Sequence, residues 1–433
     1  MDLKSKRLRP VVEDRISALP DALLSHILSF LETQYAARTI ILSTRWKNIW
    51  ASVTSLNFLN MNPHNDIGFN RFVNSVLLLR NSVDIPKFRL KCCYVDENRA
   101  DIHTWIRTAI RRNVVELDLS ISNFSSTRRF GLSKCLFTCK TLVVLKLNVT
   151  CVTFIPKSGC FPSLKFLNFT ARLLNCDSIE NLFSHCPVLE HLIISLSVFN
   201  PRKDLHISAP KLKSLKICLS RGVFNIFIKS PKLENLDLSE VISSTLRQTL
   251  SNCRLDNPKF LVKANIDLKG HDSEMPAFVD RGNVLLAEIS GVKHLSLSAP
   301  CLEACELPAF DNLNKLKLYD WELLAVFLKA SPNLEDLVLD IGTKSDEECI
   351  EHQWNPPEFV PKCLLSHLKT IFIREFKGQQ VEMEAAQYLL KNGRALKKMT
   401  ICTEKDLHYI KENKLLEEFL MFQETCKVEF IKM

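Results

Sequence analysis

The sequence predicts an α/β chain. A small helical bundle comes first, then an irregular solenoid with parallel strands on its concave side and helices or loops on its convex side, and last a C-terminal cap. Three observations lead there. The stretch DRISALPDALLSHILSFLETQYAARTIILSTRWKNIW sets its aliphatic residues at helical spacing. From Val114 onward a phrase of the form apolar-x-x-apolar-x-apolar returns mostly at steps of roughly 21 to 28 residues, the length range of a solenoid unit, with a longer step around residues 340–368. Five copies carry a proline two places before their first leucine, at Pro162, Pro187, Pro210, Pro231 and Pro332.

The bulk properties fit an ordinary globular chain. Of 433 residues, 46% are hydrophobic and 24% charged, enough to bury a large core without disorder or fibrous repetition. The first ten residues, MDLKSKRLRP, are charged and lead into no apolar segment with a cleavage site, so export is not expected and the 16 cysteines should be reduced thiols. Cys92 and Cys93 are adjacent, and Cys135 with Cys139 and Cys301 with Cys305 stand four apart with no second pair nearby. That is not zinc spacing, so no metal and no cofactor is expected. No apolar run reaches the length of a membrane span, so an intracellular protein, cytoplasmic or nuclear, is expected. A net charge of +9 is modest for this length and its basic residues are scattered, which argues against nucleic acid as a partner. Lys4 to Arg9 could serve nuclear import or be a solvated tail.

After a tail over residues 1–12, the bundle occupies residues 13–58. Its first helix opens at Pro20, where a fixed backbone angle and a missing donor cost nothing. A second segment runs from about Tyr35 to Leu42, and Ser43 or Thr44 can cap a third helix that carries Trp46, Ile49 and Trp50. So short a bundle cannot cover this many apolar side chains by itself, and part of its surface must meet either the rest of the chain or a partner.

The pattern DRISxLPDxLLxxILSFL followed by LSxRWxxxW resembles the F-box of plant F-box/leucine-rich-repeat proteins. The resemblance implies that Leu19, Pro20, Leu24, Ile27, Leu28, Leu31, Leu42, Trp46 and Trp50 form the helical core and the surface that docks on the Skp-type adaptor of an SCF ubiquitin ligase. Spacing alone does not divide this set between core and docking face. The chain departs from the family at Glu32, Gln34 and Thr44, where a proline and two lysines are usual, a change that bears on adaptor affinity or choice.

The connector over residues 59–113 alternates helix-like FNRFVNSVLLLR, strand-like FRLKCCYVD and helix-like IHTWIRTAIRR with no flexible linker, and is expected to cap the solenoid's first edge. Residues 114–345 hold leucine-rich repeats: VVELDL, LVVLKL, LKFLNF, LEHLII, LKSLKI, LENLDL, a poorer copy at Leu261 to Leu268, then VKHLSL, LNKLKL and LEDLVL. Each proline follows a stretch that can be helical and marks the turn from convex side to strand. In the unit SIENLFSHCPVLEHLII, Ser178 or Asp177 can cap, Ile179, Leu182 and Phe183 face inward, and Leu189, Leu192 and Ile194 enter the sheet. The residue between the last two apolar positions points to the concave face. This row is Asp118, Lys146, Asn168, Ile193, Lys216, Asp237, Ser296, Lys317, Val338 and Phe372, with Thr400 beyond it. Its mixed chemistry suits a protein target better than a phosphate backbone.

Residues 346–433, with WNPPEFVPKCLLSHLKTIFI and its continuation to LKKMTI, look like the FBD unit that closes many of those plant proteins. A helix over Glu382 to Asn392 stopping at Gly393, flanked by strands at Leu368 to Ile373 and Ala395 to Ile401, is expected; a last helix near Lys414 to Phe422 precedes a strand at Lys427 to Ile431.

With ten glycines and no phosphate loop, nucleophile elbow or paired-histidine helix, the chain offers no seat for catalysis. It is therefore expected to be a non-enzymatic ligase receptor, with the adaptor and through it a cullin on one face and an unidentified protein target on the other. The alternatives are a repeat scaffold whose F-box does not dock, and a receptor that uses a small molecule.

Overall fold

A computed structural model describes residues 15–60, 66–80, 84–94, 99–123, 134–151, 161–173, 183, 186–198, 203–221, 224–241, 251–269, 276–299, 302, 305–319, 321–340, 354–403, 419 and 426–432. The chain forms two compact units, residues 1–149 and 150–433, so the division falls inside the repeat array.

The first unit begins with α1 (Asp21–Leu28), α2 (Thr33–Arg38) with a 3₁₀ turn at Thr39–Ile41, and α3 (Thr44–Ser52). Pro20 is the N-cap of α1, one place before its first helical residue. Ser43 caps α3 by accepting the Trp46 N–H at 3.4 Å. Leu24 and Leu28 of α1, Ala36 of α2 and Trp46, Ile49 and Trp50 of α3 are buried, so helical spacing closes a core of three short helices. Four parallel strands follow, paired in the order β1 (Ser55–Asn60), β2 (Lys87–Tyr94), β3 (Glu116–Asn123) and β4 (Val144–Cys151). The connecting helices are α4 (Asp66–Leu79) and α5 (Arg99–Arg111). The Trp105 indole of α5 is buried and donates to Asn74 of α4 at 2.7 Å.

Arg80, just past α4, ties this unit to its bundle. Its guanidinium donates to the carbonyls of Val53, Ala51 (3.0 Å) and Trp50 (3.4 Å) at the end of α3, and lies 5.5 Å from the Trp50 ring. A cation there satisfies carbonyls that a helix C-terminus leaves without partners. Burial, with the nearby charge of Arg112, lowers its pKa to about 10.

In the second unit, eleven parallel strands among the described residues make one sheet. In spatial order they are β5 (Phe166–Leu173), β6 (His191–Val198), β8 (Ser214–Arg221), β10 (Asn235–Val241), β12 (Lys263–Lys269), β13 (His294–Ser298), β14 (Lys315–Leu318), β15 (Asp336–Asp340), β16 (Thr370–Phe376), β17 (Lys398–Thr403) and β18 (Lys427–Lys432). Every second residue is buried, for example Leu215, Ile217 and Leu219 on β8, as the period-two repeat requires. Register passes from repeat to repeat through one shared acceptor. The Val262 carbonyl takes the N–H groups of both Lys293 and His294 at 2.9 and 3.0 Å, and the Lys213, Asn314 and Glu335 carbonyls do the same for their neighbours.

The back of this unit corrects one expectation. Before Pro210 and Pro231 the chain is not helical but extended: β7 (Lys203–Ser208) and β9 (Phe224–Lys229) pair with β11 (Asn252–Leu255) in a second, three-stranded parallel sheet. Alternation in KDLHIS and FNIFIK buries Leu205, Ile207, Ile226 and Ile228, and the β-branched Ile207, Ile226 and Ile228 favour a strand over a helical turn. Helices stand behind the later strands: α6 (Pro276–Glu288), α7 (Leu324–Ala330), α8 (Lys362–Ser366) and α9 (Gln380–Asn392). Before Pro332 the expected helix is α7. The caps at Asp177 and Ser178, the inward Ile179 and Leu182, the helix near Lys414 to Phe422 apart from buried Phe419, and the tail over 1–12 lie outside the described residues.

Helix α9 starts at Gln380, two residues before the expected Glu382, with Gln379 and Glu382 forming a reciprocal capping box. It stops at Gly393, where a Cβ would stand 2.7 Å from the Leu389 carbonyl oxygen; close approach, at an ordinary φ of −79°, makes glycine the residue there.

Candidate adaptor and target surfaces

The bundle presents an uncovered apolar face. From α1 and the turn after it come Leu23, Ile27, Phe30 and Leu31; from α2 and the 3₁₀ turn come Tyr35, Ile41 and Leu42; Ile16 precedes α1. Ile41 is 87% and Phe30 75% exposed. His26 meets the Phe30 ring edge-on at 4.9 Å, and the Arg38 guanidinium lies 5.5 Å from the Tyr35 ring. The face is held in shape from below. Arg45 of α3 pairs with Asp21 at 2.7 Å and donates to the carbonyls of Ser17 and Leu19 (2.6 Å), fixing the entry to α1.

Of the nine residues expected from the F-box pattern, Leu24, Leu28, Trp46 and Trp50 are buried in the bundle, and Leu19 is half-buried. Pro20, Ile27, Leu31 and Leu42 are exposed. Trp46 is 9% exposed and Trp50 4%, so the two indoles belong to the core and leave the outer face to smaller aliphatics and Phe30. Sequence reasoning did not select Ile16, Phe30, Tyr35 and Ile41; their signal was a bundle with more apolar residues than its interior holds. Of the departures, Gln34 and Thr44 are exposed and Glu32 is half-buried, with the Gln34 amide donating to Glu32 at 3.2 Å.

The second candidate surface is the open face of the sheets. All ten residues of the expected row are half-buried and lie on strands. Asp118 stands opposite Lys146 in the first unit. In the second unit Asn168 faces Ile193, Ile193 faces Lys216, Lys216 faces Asp237, Ser296 faces Lys317, Lys317 faces Val338 and Val338 faces Phe372. Thr400, beside Phe372, is buried. Asn265, on the poorer copy, fills the place between Asp237 and Ser296 and was missed because its phrase lacks a central leucine.

Two residues earlier on each strand lies a parallel row that includes Glu116, Lys263, His294, Lys315, Asp336 and Thr370; period two alone would have found it. Charges along both rows answer one another across strands. Arg89 pairs with Asp118 at 3.3 Å, Lys216 with Asp237 at 2.8 Å, Lys315 with Asp336 at 2.9 Å and Lys317 with Asp340 at 2.6 Å. Burial alone would raise the Glu116 carboxyl, but the hydrogen bond and charge of Lys146, helped by Lys87, bring it below its usual range. The bond to Asp237 raises the Lys216 ammonium. Between β8 and β16 the face forms an open groove of about 810 Å³.

The comparisons with known proteins agree with this layout. Residues 16–58 match the F-box domain family, residues 102–260 the leucine-rich repeats described for FBD-associated F-box protein At5g56370, and residues 355–401 the FBD family. From Arabidopsis thaliana, FBD-associated F-box protein At5g38590 is 32% identical across 94% of this chain and 98% of its own length. The chain belongs to the F-box/FBD/LRR-repeat family. F-box/FBD/LRR-repeat protein At5g56420, from the same plant, is 30% identical across 96% of this F-box/FBD/LRR chain and 99% of its own.

No helix among the described residues is long and apolar enough to cross a membrane. No group of three or more His, Cys, Asp or Glu side chains among them could hold a metal ion. The described cysteines are free thiols, and burial pushes Cys253 up to about 12.

Proposed function

We propose that this F-box protein is a non-catalytic substrate receptor of an SCF ubiquitin ligase. The N-terminal bundle docks on a Skp-type adaptor, the adaptor joins a cullin, and the open sheet face holds a protein target. The observation that carries this reading is the apolar face of Ile27, Phe30, Ile41 and Leu42 on a bundle that matches the F-box family. An exposed cluster of large aliphatics is stabilised by covering it, at about 25 cal/mol for each Å² of apolar area removed from water. All bond chemistry then belongs to the partners. The receptor raises the effective concentration of a target lysine near the ubiquitin carrier.

The test is co-purification of the full chain with a Skp-type adaptor and its cullin, beside a variant carrying Ile27→Asp and Leu31→Asp. Retention of the full chain and loss of the variant support the reading; loss of both favours a repeat scaffold that does not dock. Substitution is a cleaner test than deleting the bundle, because deletion would strip buried Arg80 of the α3 carbonyls it bonds.

A further inference from the structure

On the open face of the second unit most lysines already have a carboxylate. Lys213 has Glu190, Lys216 has Asp237, Lys315 has Asp336, Lys369 has Glu335 and Lys398 has Glu429, at 2.7–2.9 Å. Lys263 on β12 and Lys293, the residue just before β13, are exceptions: both are exposed, and neither has a carboxylate partner among the described residues. Between them stands His294, half-buried and opposite both Lys263 and Lys315 in register. Burial and the charges of Lys263, Lys315 and Lys293 hold its imidazole below the ordinary histidine value. The acids that line the groove are already engaged. Asp237 is bound by Lys216 and Asn265, and Asp336 by Lys315 and Thr370, so the unanswered charge here is positive.

The same groove continues to Val338 on β15 and Phe372 on β16, neighbours in register, with the Arg374 guanidinium 5.4 Å from the Phe372 ring. Three strand spacings separate β13 from β16, about 14 Å, which an extended chain crosses in roughly four residues.

We propose that the target segment held by this face is an extended acidic stretch. Its carboxylates sit at Lys263 and His294, with Lys293 adding positive charge beside them, and a large apolar side chain about four positions away rests on Val338 and Phe372. The inference rests on reading this face as the target surface. It names the chemistry that completes a pattern the face already repeats, lysine against carboxylate on the neighbouring strand.

The experiment uses the full chain co-purified with a Skp-type adaptor and fluorescent 12-residue peptides. Each peptide has a Ser-Gly background, a central Glu-Glu pair and a Phe placed two to six positions after it. Matched peptides carry Lys-Lys, phosphoserine or no Phe. The expected result is binding by the Glu-Glu peptides at least about tenfold tighter than by the Lys-Lys or Phe-less ones, with the optimum at three to five positions. A Lys263→Glu, Lys293→Glu double variant should lose that preference and still co-purify with the adaptor. Absence of a charge preference, or a preference the double variant leaves intact, would overturn the proposal. So would phosphoserine binding tenfold tighter than Glu-Glu, which would assign the groove to a phosphorylated segment. Loss of adaptor co-purification by the unaltered chain is a separate result and strikes the receptor reading alone.

Discussion

In the N-terminal bundle the exposed face is apolar and unanswered, with Ile41 87% and Phe30 75% exposed. The open face of the second unit is instead polar and largely answers itself, through cross-strand pairs such as Lys216 with Asp237 at 2.8 Å. The two faces differ in what a partner gains by covering them. Covering aliphatic area is favourable wherever shapes match, whereas covering a satisfied ion pair removes its hydration and returns little. The bundle is therefore suited to one constant partner held by area. The sheet face is suited to discrimination, because only a partner that meets its few unanswered groups gains from contact.

The largest effect that would sharpen this contrast lies beneath the apolar face. Trp50→Ala should destabilise the first unit by about 3 to 5 kcal/mol in urea unfolding, since the indole is buried and its ring packs under Arg80. A loss below about 1 kcal/mol would mean that the indole is not part of the core.

Next in size is a proton in the second unit. Glu240 on β10 is 4% exposed, accepts the N–H and hydroxyl of Ser251 at 3.1 and 2.8 Å, and is pushed by burial up to about 7. Its folded pKa lies above its ordinary value, so the stability it contributes is full below about pH 4.5 and is lost as pH rises through about 7, on the order of 3 kcal/mol in all. Wild type should lose stability relative to Glu240→Gln between pH 5 and pH 8. Parallel curves for the two proteins would show that Glu240 does not hold the proton.

Arg80→Met should cost about 2 kcal/mol, because it leaves the carbonyls at the end of α3 without their charged donor. The smallest effect belongs to the sheet face. Lys216→Met should cost less than about 1 kcal/mol, as half-exposed ion pairs do, and a larger loss would mean that the face is a structural network rather than a surface kept for a partner.

Much of this was legible in the chain. Pro20 and Ser43 marked where α1 and α3 begin, and the Leu-x-x-Leu-x-Leu phrase placed the strands and the half-buried row between them. The bundle's division into core and face was not legible. Leu24 with Leu28 and Leu23 with Ile27 share the same i, i+4 spacing, and only packing against α3 decides which pair is inside. The strands β7, β9 and β11 were hidden for a related reason: a short apolar stretch before a proline reads as helix or strand alike until its neighbours supply the pairing. Lys263 and His294 lie outside the repeating phrase's central position, two residues earlier on their strands, although every second residue of a strand shares its face.

The central claim is that the apolar face of the bundle, and not its tryptophans, meets the adaptor. It is tested most directly by calorimetric titration of a Skp-type adaptor into the full chain and into a Phe30→Asp, Ile41→Asp double variant, with thermal unfolding of both. The account predicts an affinity loss of about a hundredfold or more with the melting temperature shifted by no more than about 2 °C, since both side chains stand in water. Equal affinity in a folded double variant would contradict it.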